Sequence, residues 1–157
     1  MNKIVVELEI EGQQKSKSLE LDGGHFDTFL DALRAHTELE GAHVFERNGD
    51  EPISKGIETR KAVSLIAHRC KRVKVHIRYE HLTESKEFSP AATIFRVLQW
   101  AAGSSAFKLD DTARAKANLM LPGGTEPLPR DAVIGQFVSH PNCEVAFDLT
   151  LKDFTNG

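Results

Sequence analysis

The most constraining feature of this chain is an order of predicted elements that occurs twice: strand, strand, helix, strand, strand. In the first half, apolar and polar residues alternate over Lys3–Ile10 and again over 16–21. Apolar residues then recur at helical spacing over 25–39, and two further strand segments follow at 42–47 and 62–68. A period of two predicts half-buried strands, and a period near 3.6 predicts a helix with one buried face.

The second half repeats this order from Val73 onward. Strands are predicted from Val73, over 84–88, over 115–121 and over 143–151, a helix over 90–102 opened by Ser89-Pro90, and one helical turn over 133–137. An internal repeat of this kind indicates two similar domains. We place them at residues 1–71 and 72–151, followed by a flexible tail at 152–157. Because the joining segment is very short, we expect the domains to lie close together.

Charge and hydropathy exclude several classes of protein. The chain has 157 residues, with 20 Lys and Arg against 23 Asp and Glu, a net charge of −3. Non-specific nucleic-acid binding needs a basic excess, so we expect no nucleic-acid partner. No apolar stretch approaches the roughly 20 residues of a membrane span. The first residues lack the apolar core of a signal peptide. We therefore expect a cytoplasmic protein with no membrane partner.

The cysteine content also favours a cytoplasmic protein. Cys70 and Cys143 are too few for a disulfide framework or a zinc cluster. Free cysteine is among the most buried residue types. We predict two buried thiols in a reducing compartment.

A hairpin crossed by one helix and completed by returning strands is the β-grasp arrangement, and the second half resembles ubiquitin in more than this order. Leu119-Met120-Leu121-Pro122-Gly123-Gly124 stands where a ubiquitin-like domain has its third strand and tight turn. Residues 128–137 stand where such domains have a short helical turn. The stretch 50–61 of the first half is shorter and lacks a clear turn of this kind. The predicted fold class is α+β, with two tandem β-grasp domains.

Two fused ubiquitin-like domains resemble the interferon-stimulated tandem modifier of vertebrates and the bacterial ubiquitin-like (Bil-type) modifiers of anti-phage conjugation operons. The distance from eukaryotic ubiquitin favours the bacterial group. The resemblance implies a protein modifier rather than an enzyme, attached covalently to target proteins in anti-phage defence. Its implied partners are an adenylating activating enzyme, a conjugating enzyme, an isopeptidase and the targets.

The resemblance also implies that Gly157 is the conjugation residue, because the last glycine carboxylate of such modifiers is the reactive group. Glycine suits a narrow adenylation site because it has no side chain and tolerates any φ. The tail residues Asp153, Phe154, Thr155 and Asn156 would be recognised by the activating enzyme. Asn156 replaces a penultimate glycine, and Asp153 and Phe154 replace basic character, so a dedicated activating enzyme is implied.

Other motifs give no further site, and we predict no catalytic residue, metal or cofactor. The histidines near Cys70 match no compact metal-ligand spacing, and none has a partner spacing that supports a catalytic triad. Asp110-Asp111 is interpreted as a loop or helix cap. Ubiquitin's apolar patch is not carried over: the matching positions here include Met120 and Asp148, and Asp148 is charged.

Two other functions remain open. A non-covalent adaptor or scaffold would use the β-grasp pair for docking, with an exposed strand edge available to a partner's sheet, and would not need the tail. A sulfur carrier with a thiocarboxylate terminus is disfavoured, since such carriers are usually single domains.

Overall fold

The computed structural model describes residues 3–54 and 60–152, and this part of the chain forms two four-stranded sheets. The elements of the first half are β1 (Lys3–Ile10), β2 (Lys17–Asp22), α1 (Phe26–Thr37), β3 (His43–Glu46) and β4 (Ala62–His68). Those of the second half are β5 (Val73–Tyr79), β6 (Leu82–Phe88), α2 (Ile94–Ala102), α3 (Asp111–Lys116), β7 (Asn118–Met120), a 3-10 helix (Ile134–Phe137) and β8 (Glu144–Thr150).

Both sheets have one topology. The strand orders are β2-β1-β4-β3 and β6-β5-β8-β7. In each, the first and last strands are parallel neighbours at the centre, and the two outer strands run antiparallel to them. A helix packs on one face. The predicted α+β class with two tandem β-grasp domains is confirmed, and the predicted boundary at 71/72 falls between β4 and β5.

Each domain has its own core, built from the inward residues of the strands. In the first, Ile4, Val6 and Leu8 of β1 are fully buried against Phe29 and Leu33 of α1. The core of the second joins the inward residues of β5 and β8 to the apolar stripe of α2, and its members include Val75, Ile77, Ile94, Val97 and Phe147. The alternation seen in the sequence is therefore the alternation between core and outer face.

Helix α2 begins four residues later than predicted. Its N-cap is Thr93, whose hydroxyl accepts a hydrogen bond from the amide of Arg96 at 3.2 Å. The preceding carbonyls of Pro90 and Ala92 are engaged elsewhere: they accept from the amides of Gly135 and Ile134 at 2.9 and 2.8 Å. Ser89-Pro90 therefore forms a turn that holds the 3-10 helix rather than the first helical turn. Gly103 ends the helix as predicted.

The strand predicted over 115–121 is also shorter than expected. Helix α3 occupies its first residues, and β7 contains only Asn118–Met120. The carboxylate of Asp110 accepts from the amide of Ala113 at 2.8 Å, so Asp110 is the helix cap that was one of the two interpretations of this acidic pair. A cap of this kind satisfies an amide that the first helical turn leaves unpaired.

Candidate functional site

The strand that leads to the predicted conjugation residue lies at the centre of the second sheet. β8 has parallel pairing with β5 on one side and antiparallel pairing with β7 on the other. Phe147 and Leu149 of β8 are buried. Just after the strand, the amide of Lys152 donates to the hydroxyl of Thr150 at 3.2 Å. The root of the tail thus follows a central strand that is paired on both sides.

The predicted site residues themselves, Asp153, Phe154, Thr155, Asn156 and Gly157, lie outside the described residues. So do residues 55–59, within the segment of the first half that was expected to lack a clear helical turn. The assignment of Gly157 as the conjugation residue therefore stays a prediction.

We call the sheet face turned away from the helix the outer face. On the second outer face, charges of opposite sign lie on neighbouring strands. Arg78 of β5 contacts Asp148 of β8, with 2.8 Å between Nε and Oδ1. Asp148 also stands opposite Met120 in the register of β7 and β8. At Arg78 and Asp148 this face is exposed and charged.

The same face contains one contact that the sequence did not suggest. Nδ1 of His76 lies 2.7 Å from the hydroxyl of Ser85, and its Nε2 lies 3.7 Å from a carboxylate oxygen of Glu144. The strand register explains the group, because His76 stands opposite Ser85 on β6. The group is exposed on an open sheet face and is accounted for as cross-strand pairing.

The first outer face is partly covered by the second domain. Phe45 of β3 and Ile66 of β4 stand opposite each other on this face. Both are buried, in a separate apolar cluster with Ala91 and Val133 of the second domain. We call this four-residue cluster and the contacts around it the junction. Burying a side chain such as Phe45 or Ile66 contributes about 1.5–3 kcal/mol, so the junction is a substantial interface.

A turn of the first domain extends this interface through hydrogen bonds to residues at the start of α2. Asn48 has a left-handed φ of 64°. Its amide donates to the carbonyl of Ala91 at 2.9 Å, and its side-chain oxygen accepts from the amide of Thr93 at 3.0 Å. Its carbonyl accepts from Nη1 of Arg96 at 2.8 Å. The turn thereby satisfies donors near the N-terminus of a helix in the other domain.

A buried carboxylate closes the other end of the junction. Glu11, with a side chain 1% exposed, accepts from the amide and guanidinium of Arg69 and from the amide of His140, each at 2.9 Å. Burial raises the pKa of this carboxyl, but the hydrogen bonds from Arg69 and His140 outweigh that effect and hold the pKa at about 2. Glu11 is therefore an anion that joins β1 and β4 of the first domain to the second domain.

His68 lies buried beside this carboxylate. Its Nδ1 accepts from the amide of Cys70 at 3.0 Å. The hydrogen must then be on Nε2, which lies 3.1 and 3.0 Å from the carbonyl oxygens of Gly135 and Val138. Burial lowers the pKa of His68, although the charge of Glu11 acts in the opposite direction. His68 is a neutral interdomain donor, a role that no spacing in the sequence indicates.

The cysteine prediction was wrong. Cys70 and Cys143 form a disulfide, with 5.8 Å between their Cα atoms. The topology explains why: Cys70 lies shortly before β5 and Cys143 directly before β8, and these two strands are parallel neighbours. A separation of 73 residues concealed that proximity. Residues missed from the sequence thus concentrate at the junction, where contacts are long-range.

Within residues 3–54 and 60–152, no three His, Cys, Asp or Glu side chains are grouped so that they could hold a metal ion. No helix in the same part of the chain has both the length and the apolar composition to cross a membrane.

Comparison with known proteins agrees with the fold and the position of β8. The family model described as BilA ubiquitin-like domain 2 matches residues 74–152, half of the chain, from the first strand of the second sheet to the root of the tail. No curated protein matches the chain. With the second β-grasp sheet covering the matched residues, the chain belongs to the BilA ubiquitin-like domain 2 family.

Proposed function

We propose that this chain is a protein modifier, attached through the carboxylate of Gly157 to amino groups of other proteins in bacterial anti-phage defence. The observation that carries the proposal is the family match, which ends at Lys152, where the chain leaves the central strand of the second domain. A modifier must present its terminus away from a stable body. A central strand held on both sides supplies such a root.

The chemistry would reside in the partners. A dedicated activating enzyme would adenylate the Gly157 carboxylate with ATP, releasing pyrophosphate. An enzyme cysteine would displace AMP to form a thioester, and a target amine would displace the thiol to form an amide. An isopeptidase would reverse the last bond. The chain itself would contribute a folded domain and the Gly157 carboxylate, and no acid, base or nucleophile.

The proposal is tested by the remnant that proteolysis leaves. Trypsin cleaves after Lys152, so a conjugated lysine would carry Asp-Phe-Thr-Asn-Gly, residues 153–157. Proteins from host cells with the pathway induced are digested and searched by mass spectrometry for lysines with this addition. We expect the remnant on other proteins, which also identifies the targets.

Two variants make the test specific. Deletion of Gly157 should abolish the conjugates, whereas Thr125→Ser, in an exposed loop of the second domain, should leave them unchanged. Conjugates that persist after the deletion would show that the reactive group is misassigned. If only free chain is found, and truncation after Lys152 leaves partner binding intact, the non-covalent adaptor is the better function.

A further inference from the structure

The Cys70–Cys143 disulfide lies next to the residues that join the two domains. Cys70 lies two residues beyond His68, in the segment that joins the two sheets. Cys143 ends the segment 138–143, which lies between the 3-10 helix and β8. Both half-cystines therefore adjoin the residues that hold the two domains together.

On the Cys70 side, His68 links the disulfide to the contacts between the two domains. The amide of Cys70 donates to Nδ1 of His68, which leaves the Nε2 hydrogen directed at the carbonyls of Gly135 and Val138. A displacement of the backbone at Cys70 would remove the donor that selects this tautomer. The interdomain bond of His68 thus depends on where Cys70 is held.

On the Cys143 side, the segment 138–143 links the disulfide to His68 and Glu11 of the first domain. Its carbonyl at Val138 receives the His68 bond, and its amide at His140 donates to Glu11 at 2.9 Å. The S–S bond closes a ring formed by residues 68–70 and 138–143. The His68–Val138 contact belongs to this ring, and the Glu11 contact joins the ring at His140. Val138 and His140 both lie within five residues of Cys143.

The two sulfurs differ in their access to solvent. Cys70 is only 1% exposed, whereas Cys143 is half-buried. A reductant in solution therefore reaches Cys143 first.

We propose that the Cys70–Cys143 pair is a redox-sensitive latch on the junction: the disulfide holds the domains docked, and its reduction loosens the docking. A thiolate of a dithiol reductant attacks Sγ of Cys143, the S–S bond breaks, and the Cys70 sulfur leaves and takes a proton. The second thiol of the reductant then displaces the Cys143 sulfur. The protein gains two electrons and two protons, and the reductant becomes a disulfide.

The consequence of reduction is specific to the junction. With the ring open, residues 138–143 are tied to residues 68–70 by hydrogen bonds that compete with water and by the packing of Cys70 with Val138 in the second core. Loosening these bonds releases one end of the junction and gives solvent access to the apolar Phe45 and Ile66. The redox state would then decide whether the tandem is one rigid body or two linked domains.

Amide hydrogen exchange of the full chain, followed residue by residue by NMR, tests the proposal. Three amides donate across the junction: Asn48 to Ala91, Thr93 to Asn48, and His140 to Glu11. Two control amides donate within single domains: Phe29 to His25, and Phe107 to Ala101. Exchange is compared before and after reduction with a trialkylphosphine, and in the double variant Cys70→Ser/Cys143→Ser.

We expect reduction and the double variant each to accelerate exchange at least tenfold at the three junction amides and less than threefold at the two controls. Unchanged exchange at the junction would overturn the proposal. A uniform acceleration at all five amides would also overturn it, because the bond would then stabilise the folded chain in general rather than latch the junction.

A variant that retains the disulfide shows that the assay detects undocking. Glu11→Gln removes the charge that holds Arg69 and the amide of His140, and it should accelerate exchange at the junction amides in the oxidised chain. If this variant accelerates exchange and reduction does not, the latch is refuted even though the junction is dynamic.

Discussion

The two sheets have the same topology, but their outer faces differ: part of the first is buried against the other domain, whereas the second is exposed at its charged pair. In the first sheet, Ile66 stands opposite Phe45, and both are buried under the second domain. In the second, Asp148 stands opposite Met120, and an exposed pair with Arg78 takes the place of an interface. A β-grasp sheet has one face committed to its own helix. The identity of a few residues on the other face therefore decides whether that face is an interface or a surface.

The outer faces of the two domains therefore have different roles. The first domain uses its outer face to hold the second in place and has no comparable free face at Phe45 and Ile66. The second domain keeps its charged outer face accessible beside the root of the tail. A partner that approaches the root of the tail would thus meet the second outer face.

The largest expected effect comes from placing a charged side chain on the buried part of the first outer face, as the second outer face has charged side chains. Ile66→Asp would place a carboxylate at a position 2% exposed and beside Glu9, whereas Val5→Asp would place one on the same face at a position 46% exposed and opposite Glu20. Both variants add a like-charge contact, so their difference reports burial. We expect Ile66→Asp to destabilise the chain by about 3 kcal/mol or more, and Val5→Asp by about 1 kcal/mol.

Urea denaturation followed by circular dichroism measures both values. Equal losses for the two variants would mean that the junction does not form in solution. A second observable separates undocking from unfolding: small-angle scattering of folded Ile66→Asp should show a larger radius of gyration than that of Val5→Asp.

A smaller effect is expected from acidification, which acts on the junction through Glu11 and His68. The pKa of Glu11 is lowered from 4.5 to about 2 in the folded chain. A depressed carboxyl pKa contributes stability that is present above pH 4.5 and is lost as the pH falls toward 2. The pKa of His68 is also lowered, from 6.5, so the unfolded chain takes up this proton first and stability begins to fall below pH 6.5.

Thermal unfolding at pH 7.5, 5.5 and 3.5 measures this dependence. The midpoint should decrease at each step, and in Glu11→Gln the decrease between pH 5.5 and 3.5 should be smaller than in the parent chain. The same slope in both would show that other carboxyls account for the acid sensitivity.

The smallest expected effect compares two equivalent turns. Asn48 and Gly123 each occupy a left-handed position, at φ 64° and 75°, in a turn that follows the third strand of its domain. Asn48→Gly keeps the conformation but loses the bond to Thr93, and should cost about 1 kcal/mol. Gly123→Asn should change stability by only a few tenths of a kcal/mol, since that turn is exposed and asparagine tolerates this conformation. Denaturation midpoints measure both, and equal costs would contradict the interdomain role of Asn48.

The elements and cores were predictable where the pattern is local. The alternation in β1 and β8 matches their buried and exposed residues, and the repeat of strand and helix order predicted two β-grasp domains. Local rules failed where a distant contact intervened. Ser89-Pro90 has the form of a helix start, yet the carbonyls of Pro90 and Ala92 are used by the 3-10 helix about 45 residues later.

The junction was not predictable for the same reason. Glu11, His68 and His140 are separated along the chain and match no motif, and Ile66 has the same apolar character as a core residue. Nothing local distinguishes an apolar residue that faces a core from one that faces another domain. The cysteines illustrate the limit most clearly, because a separation of 73 residues hid a bonded pair.

The sequence by itself determined the class of this protein: hydrophobic periods set the secondary structure, and their repetition set the two domains. Its resemblance to ubiquitin-like modifiers implied Gly157 as the conjugation residue, which stays a prediction. Only the tertiary structure decided how the domains are joined, which outer face is covered and which stays free, and that Cys70 meets Cys143. Periodicity is a property of neighbouring residues. Docking, by contrast, depends on the shape and charge that residues far apart in the chain present together.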